Sequence, residues 1–408
     1  MRLLSLGCGG FIGSHLTKRL LEEGHSVTGI DIYDDKLQEC KENKRFSFIR
    51  HDIRKPGLNL DEMVANADVV IDLIAYANPG LYVKMPLEVF RLNFVENLKI
   101  ADACVRRDKR LVQFSTCEVY GKTVASVLKE SLEDSDALRH ATFSEDTTDF
   151  ILGPLGKHRW IYACAKQLLE RVIHAYGLER DFNYTIIRPF NFIGPKIDYL
   201  LNETDGIPRV FSFFMDALIN GTPLKLVDGG HHRRCYTYID DAIECIYRIT
   251  MNPGNVCDRQ IFNIGTPGNE VSIRELAEIM RAIYTEKFAD KSRTLPTIVE
   301  VSSSDFYGEG YEDSDRRIPD ISKARELLGW EPKWKVRELL ETTMRYYITD
   351  YIKHYRDKQA NKHFHDIVQK ALEGSPQGNV SHVKTDMAAR QLEVDKALHP
   401  ENGGGESR

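Results

Sequence analysis

The chain is 408 residues long, 42% hydrophobic and 28% charged, with a formal net charge of −6 at pH 7. That is more than one ordinary domain requires, and the acidic balance argues against a surface for nucleic acid or another polyanion. Its eight cysteines form no CxxC pair and no Cys/His metal spacing, so neither a disulfide framework nor a metal is expected; without an export leader or a long apolar span, the protein reads as cytoplasmic with no membrane contact.

Arg2 to Leu6 reads as a buried strand and Ser14 to Glu23 as an amphipathic helix with Leu16, Leu20 and Leu21 inward. Between them lies Gly7-Cys8-Gly9-Gly10-Phe11-Ile12-Gly13. A glycine turn from strand into helix lets backbone close on a pyrophosphate while helix N–H groups face the anion. Side chains at Gly7, Gly10 or Gly13 would obstruct that approach. The next strand, Ser26 to Asp31, ends on a carboxylate about 20 residues past the glycines, where it would grip an adenosine ribose and repel a 2′-phosphate. NAD is therefore the expected cofactor, bound by Gly7, Gly10, Phe11, Ile12, Gly13 and Asp31. Asp52 and Ile53, after the strand Phe46 to Ile49, are expected to bracket the adenine.

Strands over Asp68 to Leu73 and Arg110 to Phe114 flank a long helix predicted over Pro86 to Arg107. This alternation predicts an α/β fold: a doubly wound parallel (Rossmann) sheet, with ligands at the carboxyl ends of its strands. Ser115-Thr116-Cys117-Glu118 lies at such an end. The acidic insertion Ser131 to Phe150 reads as a mobile surface loop. A helix over Trp160 to Gly177 carries Tyr162 and Lys166 four residues apart, on one face. An ammonium beside a phenol favours phenolate, so Tyr162 is the expected proton acceptor, with Lys166 lowering its pKa. Thr116 is placed to bond the same substrate oxygen. The pattern points to hydride chemistry on an alcohol or ketone.

Residues 1–190 thus form the expected cofactor domain, to which strands near 235–265 return. Residues 191–356 form a smaller, interleaved substrate lobe. It holds helices over Gly206 to Asn220, Ser272 to Ile283 (capped by Ser272 and Glu275), Ile321 to Leu328 and Val336 to Tyr355; its strand Gln260 to Gly265 joins the main sheet. Residues 357–408 are a polar tail with the composition of disorder, beyond one helix at Phe364 to Leu372.

The stretches Ser115 to Lys122, Arg159 to Gln167, Arg188 to Pro195, Lys225 to Gly230 and Tyr307 to Pro319 carry a resemblance. The chain resembles the extended short-chain dehydrogenase/reductases and, within them, the decarboxylases of UDP-glucuronic acid: the aminoarabinose-pathway decarboxylases and the UDP-apiose/UDP-xylose synthases. The likeness implies a UDP-sugar substrate. Hydride would leave sugar C4 for NAD⁺ while Tyr162 takes the hydroxyl proton. The resulting β-keto acid would lose CO₂. Glu118 would then serve as acid/base near C5, and Arg317 would bind the carboxylate or relay a proton. Arg209, Lys225 and Arg234 are candidates for the diphosphate or its ribose. Asn191 and Tyr82 are expected at the sugar, and Tyr311 against sugar or nucleotide. His231 to Arg233 reads as a solvated hairpin.

UDP-apiose/UDP-xylose synthases carry a cysteine where this chain has Ala77, and they share Cys117. The aminoarabinose-type enzymes have a small residue at the first position and serine at the second. Cys117 is therefore either a catalytic thiol or a small buried residue. The expected product is UDP-4-keto-pentose, UDP-xylose, or both. UDP-apiose formation, 4-epimerisation and a non-catalytic NAD-binding regulator are the alternatives. The two long helices, Pro86 to Arg107 and Trp160 to Gly177, are expected to form a homodimer's four-helix bundle, as in this family.

Overall fold

The computed structural model describes residues 1–128, 140–198, 200, 209–289, 295–307 and 312–351. Seven strands make the central sheet: β1 (Arg2–Leu6), β2 (Ser26–Asp31), β3 (Phe46–Arg50), β4 (Val69–Asp72), β5 (Arg110–Phe114), β7 (Tyr184–Pro189) and β12 (Gln260–Ile264). Between β5 and β7 lies the short β6 (Thr142–Phe143). The spatial order is β12-β7-β5-β4-β1-β2-β3, and every pair is parallel. All four residues of β4 are buried. A strand covered on both faces must read as an apolar run, which is why alternation is missing there. The order reverses between β1 and β4, so the crevice for a ligand opens at their carboxyl ends.

Helix α1 (Phe11–Glu22) packs Leu16 and Leu20, both 0% exposed, against the sheet. Full burial of such a side chain stabilises the fold by roughly 2 kcal/mol. The helix predicted as continuous from Pro86 is instead wound in three pieces: Pro86–Phe90, a π-helical Arg91–Glu96 and Asn97–Arg106. The buried amide of Asn93 supplies the reason. Its Nδ2 donates to the Val89 carbonyl at 2.9 Å, competing with the main chain for an acceptor one turn back. Helix α2 (Trp160–Arg180) runs one turn-fraction past its expected end and stops on Asp181 in the left-handed region.

The remaining elements follow β7, and among them the helix Ile239–Met251 packs directly against α1. They include β8 (Phe192–Ile193), α3 (Val210–Asn220), β9 (Leu224–Val227), β10 (Arg233–Cys235), β11 (Thr237–Tyr238) and α4 (Ile239–Met251). After β12 follow β13 (Glu270–Ser272), α5 (Ile273–Lys287), β14 (Ile298–Val301) and β15 (Ile318–Pro319). The capping box at α5 is formed: Glu275 N donates to Ser272 Oγ (3.0 Å) and Ser272 N to Glu275 Oε2 (2.6 Å). The helix predicted to Tyr355 is α-helical over Val336–Tyr346 and π-helical over Tyr347–Tyr351; what lies beyond, including the 357–408 tail, falls outside the described residues.

The acidic insertion is a correction. Its described part, residues 140–150, is packed into the core: Ala141, Phe143 and Glu145 are 0%, 2% and 7% exposed. β6 pairs with β15, and Glu145 Oε1 accepts a hydrogen bond from Asn263 N at 2.8 Å. An acidic stretch reads as solvated, but here a partner distant in sequence satisfies the buried carboxylate. Among the described residues no helix is long and apolar enough to cross a membrane.

Candidate active site

A cavity of ≈ 440 Å³ opens at the β1/β4 crevice, with Gly7, Gly10, Phe11, Ile12 and Gly13 on one side and Lys225, Arg234 and Arg317 on the other. The three glycines do different work. Gly7 has φ +84°, and a Cβ on Gly13 would lie 2.3 Å from the Gly7 carbonyl oxygen. These two let β1 turn into α1. At Gly10 the nearest atom to an added Cβ is 3.4 Å away. Gly10 is also the N-cap of α1, and no side chain caps its N–H groups. Only Gly10, then, leaves room at a helix N-terminus for an anionic group. This cradle fits a dinucleotide's pyrophosphate.

Asp31 closes β2 with its carboxylate already aimed: Gly9 N donates to Oδ2 at 2.8 Å and Tyr33 N to Oδ1 at 3.1 Å. Burial pushes its pKa up, and these backbone donors oppose the rise. Asp31, Asp52 and Ile53 do not line the cavity. Asp52 is held by Arg54, which donates from Nε and Nη2 at 2.9 and 2.8 Å.

Around the sugar end, α2 brings Tyr162 beside Thr116. The Thr116 and Tyr82 hydroxyls both act to lower the pKa of the Tyr162 phenol. Tyr82 stacks on the Tyr162 ring, 4.5 Å between centroids and 10° between planes. Thr116 ends extended (φ −161°) and accepts from Glu118 N at 3.2 Å, which turns Glu118 back into the cavity. The expected lysine-depressed phenol is corrected here. Burial raises Tyr162 well above its ordinary value, and Glu118 adds to the rise. Lys166 donates instead to the Phe114 carbonyl at 3.0 Å. Burial pulls Lys166 itself down to about 8, against the pull of Asp72 and Glu170.

Glu118 and Arg317, 199 positions apart, meet at 3.3 Å. Two further residues complete the cluster, and the sequence reading assigned neither a role. Arg159 Nη2 donates to Glu118 Oε1 at 2.9 Å and lies 3.1 Å from Asp313 Oδ1. Asp313 also takes Arg317 at 3.0 Å and Arg234 at 2.7 Å. Burial alone would raise the Asp313 carboxyl, but Arg159, Arg234 and Arg317 outweigh it and hold the group well below the usual carboxylate range. Arg159 was findable: it precedes Tyr162 by three residues at the start of an amphipathic helix, on Tyr162's face. Asp313 was one acid in a charge run, and nothing local sets it apart.

Tyr82, Asn191, Arg209, Lys225, Arg234 and Arg317 all line this cavity; Tyr311 lies outside the described residues. Asn191 adopts φ +42°, and its buried Nδ2 has no hydrogen-bond partner among the described residues. Arg209 and Arg234 are not bare cations. Arg209 pairs with Asp198 at 2.5 Å and sits over the Phe11 ring, and Arg234 pairs with Asp313. Of His231 to Arg233, read as a solvated hairpin, His231 is exposed and only His232 reaches the cavity. Arg233 pairs with Glu275 at 3.1 Å, and His232 faces Asp315 at 3.4 Å while lining the cavity. Cys117 lines the cavity as well; burial raises its thiol and Arg317 opposes.

UDP-D-apiose/UDP-D-xylose synthase 1 of Arabidopsis thaliana is 42% identical over 360 residues, covering 85% of this chain and 91% of that protein. The rice UDP-D-apiose/UDP-D-xylose synthase is 42% identical over 356 residues, covering 85% and 89%. Among solved structures, the PbgP3 protein from Burkholderia pseudomallei matches with TM-score 0.73 and 35% identity, covering 86% of this chain and 97% of that one. A UDP-glucuronic acid 4-epimerase from Bacillus cereus, in complex with UDP-glucuronic acid and NAD, matches with TM-score 0.68 and 25% identity, covering 85% and 98%. Residues 4–265 match the model of the NAD dependent epimerase/dehydratase family, and with the glycine cradle, the Tyr162 and Lys166 helix and relatives along most of its length, the chain belongs to that family.

Proposed function

We propose that this protein catalyses the NAD-dependent oxidative decarboxylation of UDP-glucuronic acid, through the 4-keto-hexuronic acid, to UDP-4-keto-pentose, UDP-xylose or both. The observation that carries it is the Glu118–Arg317 pair beside the Tyr162/Thr116 hydroxyls in one cavity. The curated relatives, named for UDP-apiose and UDP-xylose, supply the substrate class.

Gly10 would hold the pyrophosphate of NAD, Asp31 its ribose and Asp52-Ile53 its adenine; bound there, the cofactor would accept hydride from sugar C4. Tyr162 takes the C4 hydroxyl proton, with Thr116 bonded to the same oxygen. Lys166, fixed on the Phe114 carbonyl, holds its ammonium behind the phenol. Arg317 receives the carboxylate and holds it across from Glu118. After carbon is lost, Glu118 or Arg317 brings the proton to C5. Asn191 Nδ2, Lys225 and Arg234 hold the sugar and diphosphate, Arg209 lies at the α1 side of the same diphosphate cleft, and Tyr311 is assigned to the sugar or nucleotide from sequence alone.

UDP-apiose formation is the second reading. Cys117 in the cavity wall and the relatives' names favour it; Ala77, also in the wall, offers no second thiol. A 4-epimerase would use Tyr162 equally but has no use for Glu118 against Arg317. The eight free thiols suit a reducing cytoplasm. We further place a homodimer contact on the helices from Pro86 and Trp160, where Leu87, Leu168 and Leu178 are 69%, 42% and 75% exposed; light scattering would return twice the chain mass of 46.8 kDa. The functional test is NMR of the protein with UDP-glucuronic acid and NAD⁺. Loss of CO₂ with a UDP-pentose product is expected, and retention of all six sugar carbons as UDP-galacturonic acid would sink the decarboxylase.

A further inference from the structure

The proposed chemistry draws Arg317, Glu118 and Tyr162 from three separate stretches of chain, and one residue outside the reaction touches all three. Glu312 lies shortly before Arg317 in the chain. Its Oε1 accepts from Lys122 Nζ at 2.7 Å and its Oε2 from Trp160 Nε1 at 2.8 Å, across 190 and 152 positions. Lys122 follows the turn that carries Thr116 and Glu118, and Trp160 opens α2 just before Tyr162. Burial raises the Glu312 carboxyl, but Lys122 and the Trp160 N–H outweigh it and keep the group below its ordinary value, so both bonds are made to a carboxylate. Gly153 makes room for them. A Cβ there would stand 2.2 Å from Glu312 Oε2 and 2.4 Å from Trp160 Nε1. Its φ is not left-handed, so close approach rather than backbone conformation is what calls for glycine. One carboxylate thus spans the Arg317 segment, the Glu118 turn and the Tyr162 helix.

We propose that Glu312 is a positioning residue: it clips the Arg317 segment to the Glu118 turn and the Tyr162 helix, so that one bound sugar meets the oxidising and the decarboxylating groups together. This rests on the decarboxylase reading. Oxidation at C4 uses Tyr162 and Thr116: the C4 hydride would pass to the bound cofactor and the hydroxyl proton to Tyr162, giving NADH and the 4-keto acid. The next step uses Arg317 and Glu118. The C5–C6 bond breaks, its electron pair becomes the C4–C5 enolate, carbon 6 departs as CO₂ and a proton arrives at C5. Opening the clip releases the Arg317 segment, while Thr116 at the end of β5 and Tyr162 on α2 stay where the central sheet holds them. The second step therefore slows and the first does not.

The test follows NADH absorbance and the release of isotope-labelled carbon 6 from UDP-glucuronic acid after rapid mixing with protein and NAD⁺. In E312Q, NADH forms at the wild-type rate to within about twofold, CO₂ release falls about tenfold or more, and UDP-4-keto-hexuronic acid accumulates. G153A leaves the carboxylate in place but drives a methyl into the clip, and it reproduces that split. So does K122M, whereas K122R keeps a donor within reach and behaves as wild type. G153A and K122M carry the test if E312Q does not fold. A Glu312 that merely supports the fold would slow both steps together or neither, and either result overturns the proposal. Wild-type protein that releases CO₂ while E312Q, G153A and K122M keep pace with it defeats the clip alone. Wild-type protein that oxidises the sugar and releases no CO₂ defeats the decarboxylase reading, and with it the purpose of the clip.

Discussion

Replacing Gly10 and Gly13 by alanine, one at a time, separates the clearance a ligand needs from the clearance the chain needs. At Gly13 the new methyl would lie 2.3 Å from the Gly7 carbonyl oxygen and 2.7 Å from Cys8 Cα. Both neighbours are backbone, so α1 must shift away from the β1 turn. Overpacking of this kind costs about 1–3 kcal/mol, and unyielding backbone puts Gly13→Ala at the upper end. At Gly10 the backbone is at φ −71°, ψ 178°, open to any residue, and the nearest atom is 3.4 Å away. Its stability change stays within about 1 kcal/mol. The methyl nevertheless stands where the N–H groups of α1 meet an anion. The Kd for NAD should rise at least about tenfold, equivalent to about 1.4 kcal/mol. Urea unfolding without nucleotide measures the first quantity and calorimetry with NAD the second. Gly10→Ala with wild-type NAD affinity, or Gly13→Ala with an unchanged urea midpoint, would refute the division of labour.

Glu170→Gln should be severely destabilising. It strands Arg188, 2% exposed, which donates to Glu170 at 3.0 and 2.6 Å, and the loss should be about 3–5 kcal/mol in urea; a loss below about 1 kcal/mol would contradict a buried pair. Lys166 falls from 10.5 to about 8, so between those values the unfolded chain binds the extra proton. Its contribution therefore favours folding more as pH rises through that window, and below pH 8 the buried charge costs about 3 kcal/mol. Urea midpoints of wild type and Lys166→Met should converge as pH rises from 7.5 towards 9.5; parallel curves would show that the lysine is not buried as charge. Cys117→Ser should keep CO₂ release while abolishing any UDP-apiose in the product mixture; loss of both would make the thiol part of the decarboxylation itself.

Most of the central fold was legible because its cues are local. Apolar runs bounded by turns located strands of the central sheet, and the serine and glutamate at 272 and 275 announced a capping box that formed as read. The misreadings share one cause. The Pro86 helix was read from its apolar spacing, whereas Asn93 bends it by competing for a carbonyl. Residues 140–150 were read from their acidity, whereas Asn263 and β15 bury them. Lys166 was placed by helical spacing beside Tyr162, yet spacing does not say which acceptor its ammonium takes, and Phe114 supplied one.

From sequence alone came the dinucleotide turn, the Tyr162 and Lys166 helix, the order of strands and helices, and the candidates Glu118 and Arg317. Each is a short-range pattern, and glycine clearance or helical periodicity states it directly. Only the tertiary structure decided that Gly10, unlike Gly7 and Gly13, is free of close backbone contact, that Lys166 donates to the Phe114 carbonyl, and that Arg159, Arg234 and Arg317 share Asp313. Those are facts about charge and space between residues as far as 199 positions apart, and the energy of a buried charge depends on what surrounds it rather than on what adjoins it in the chain.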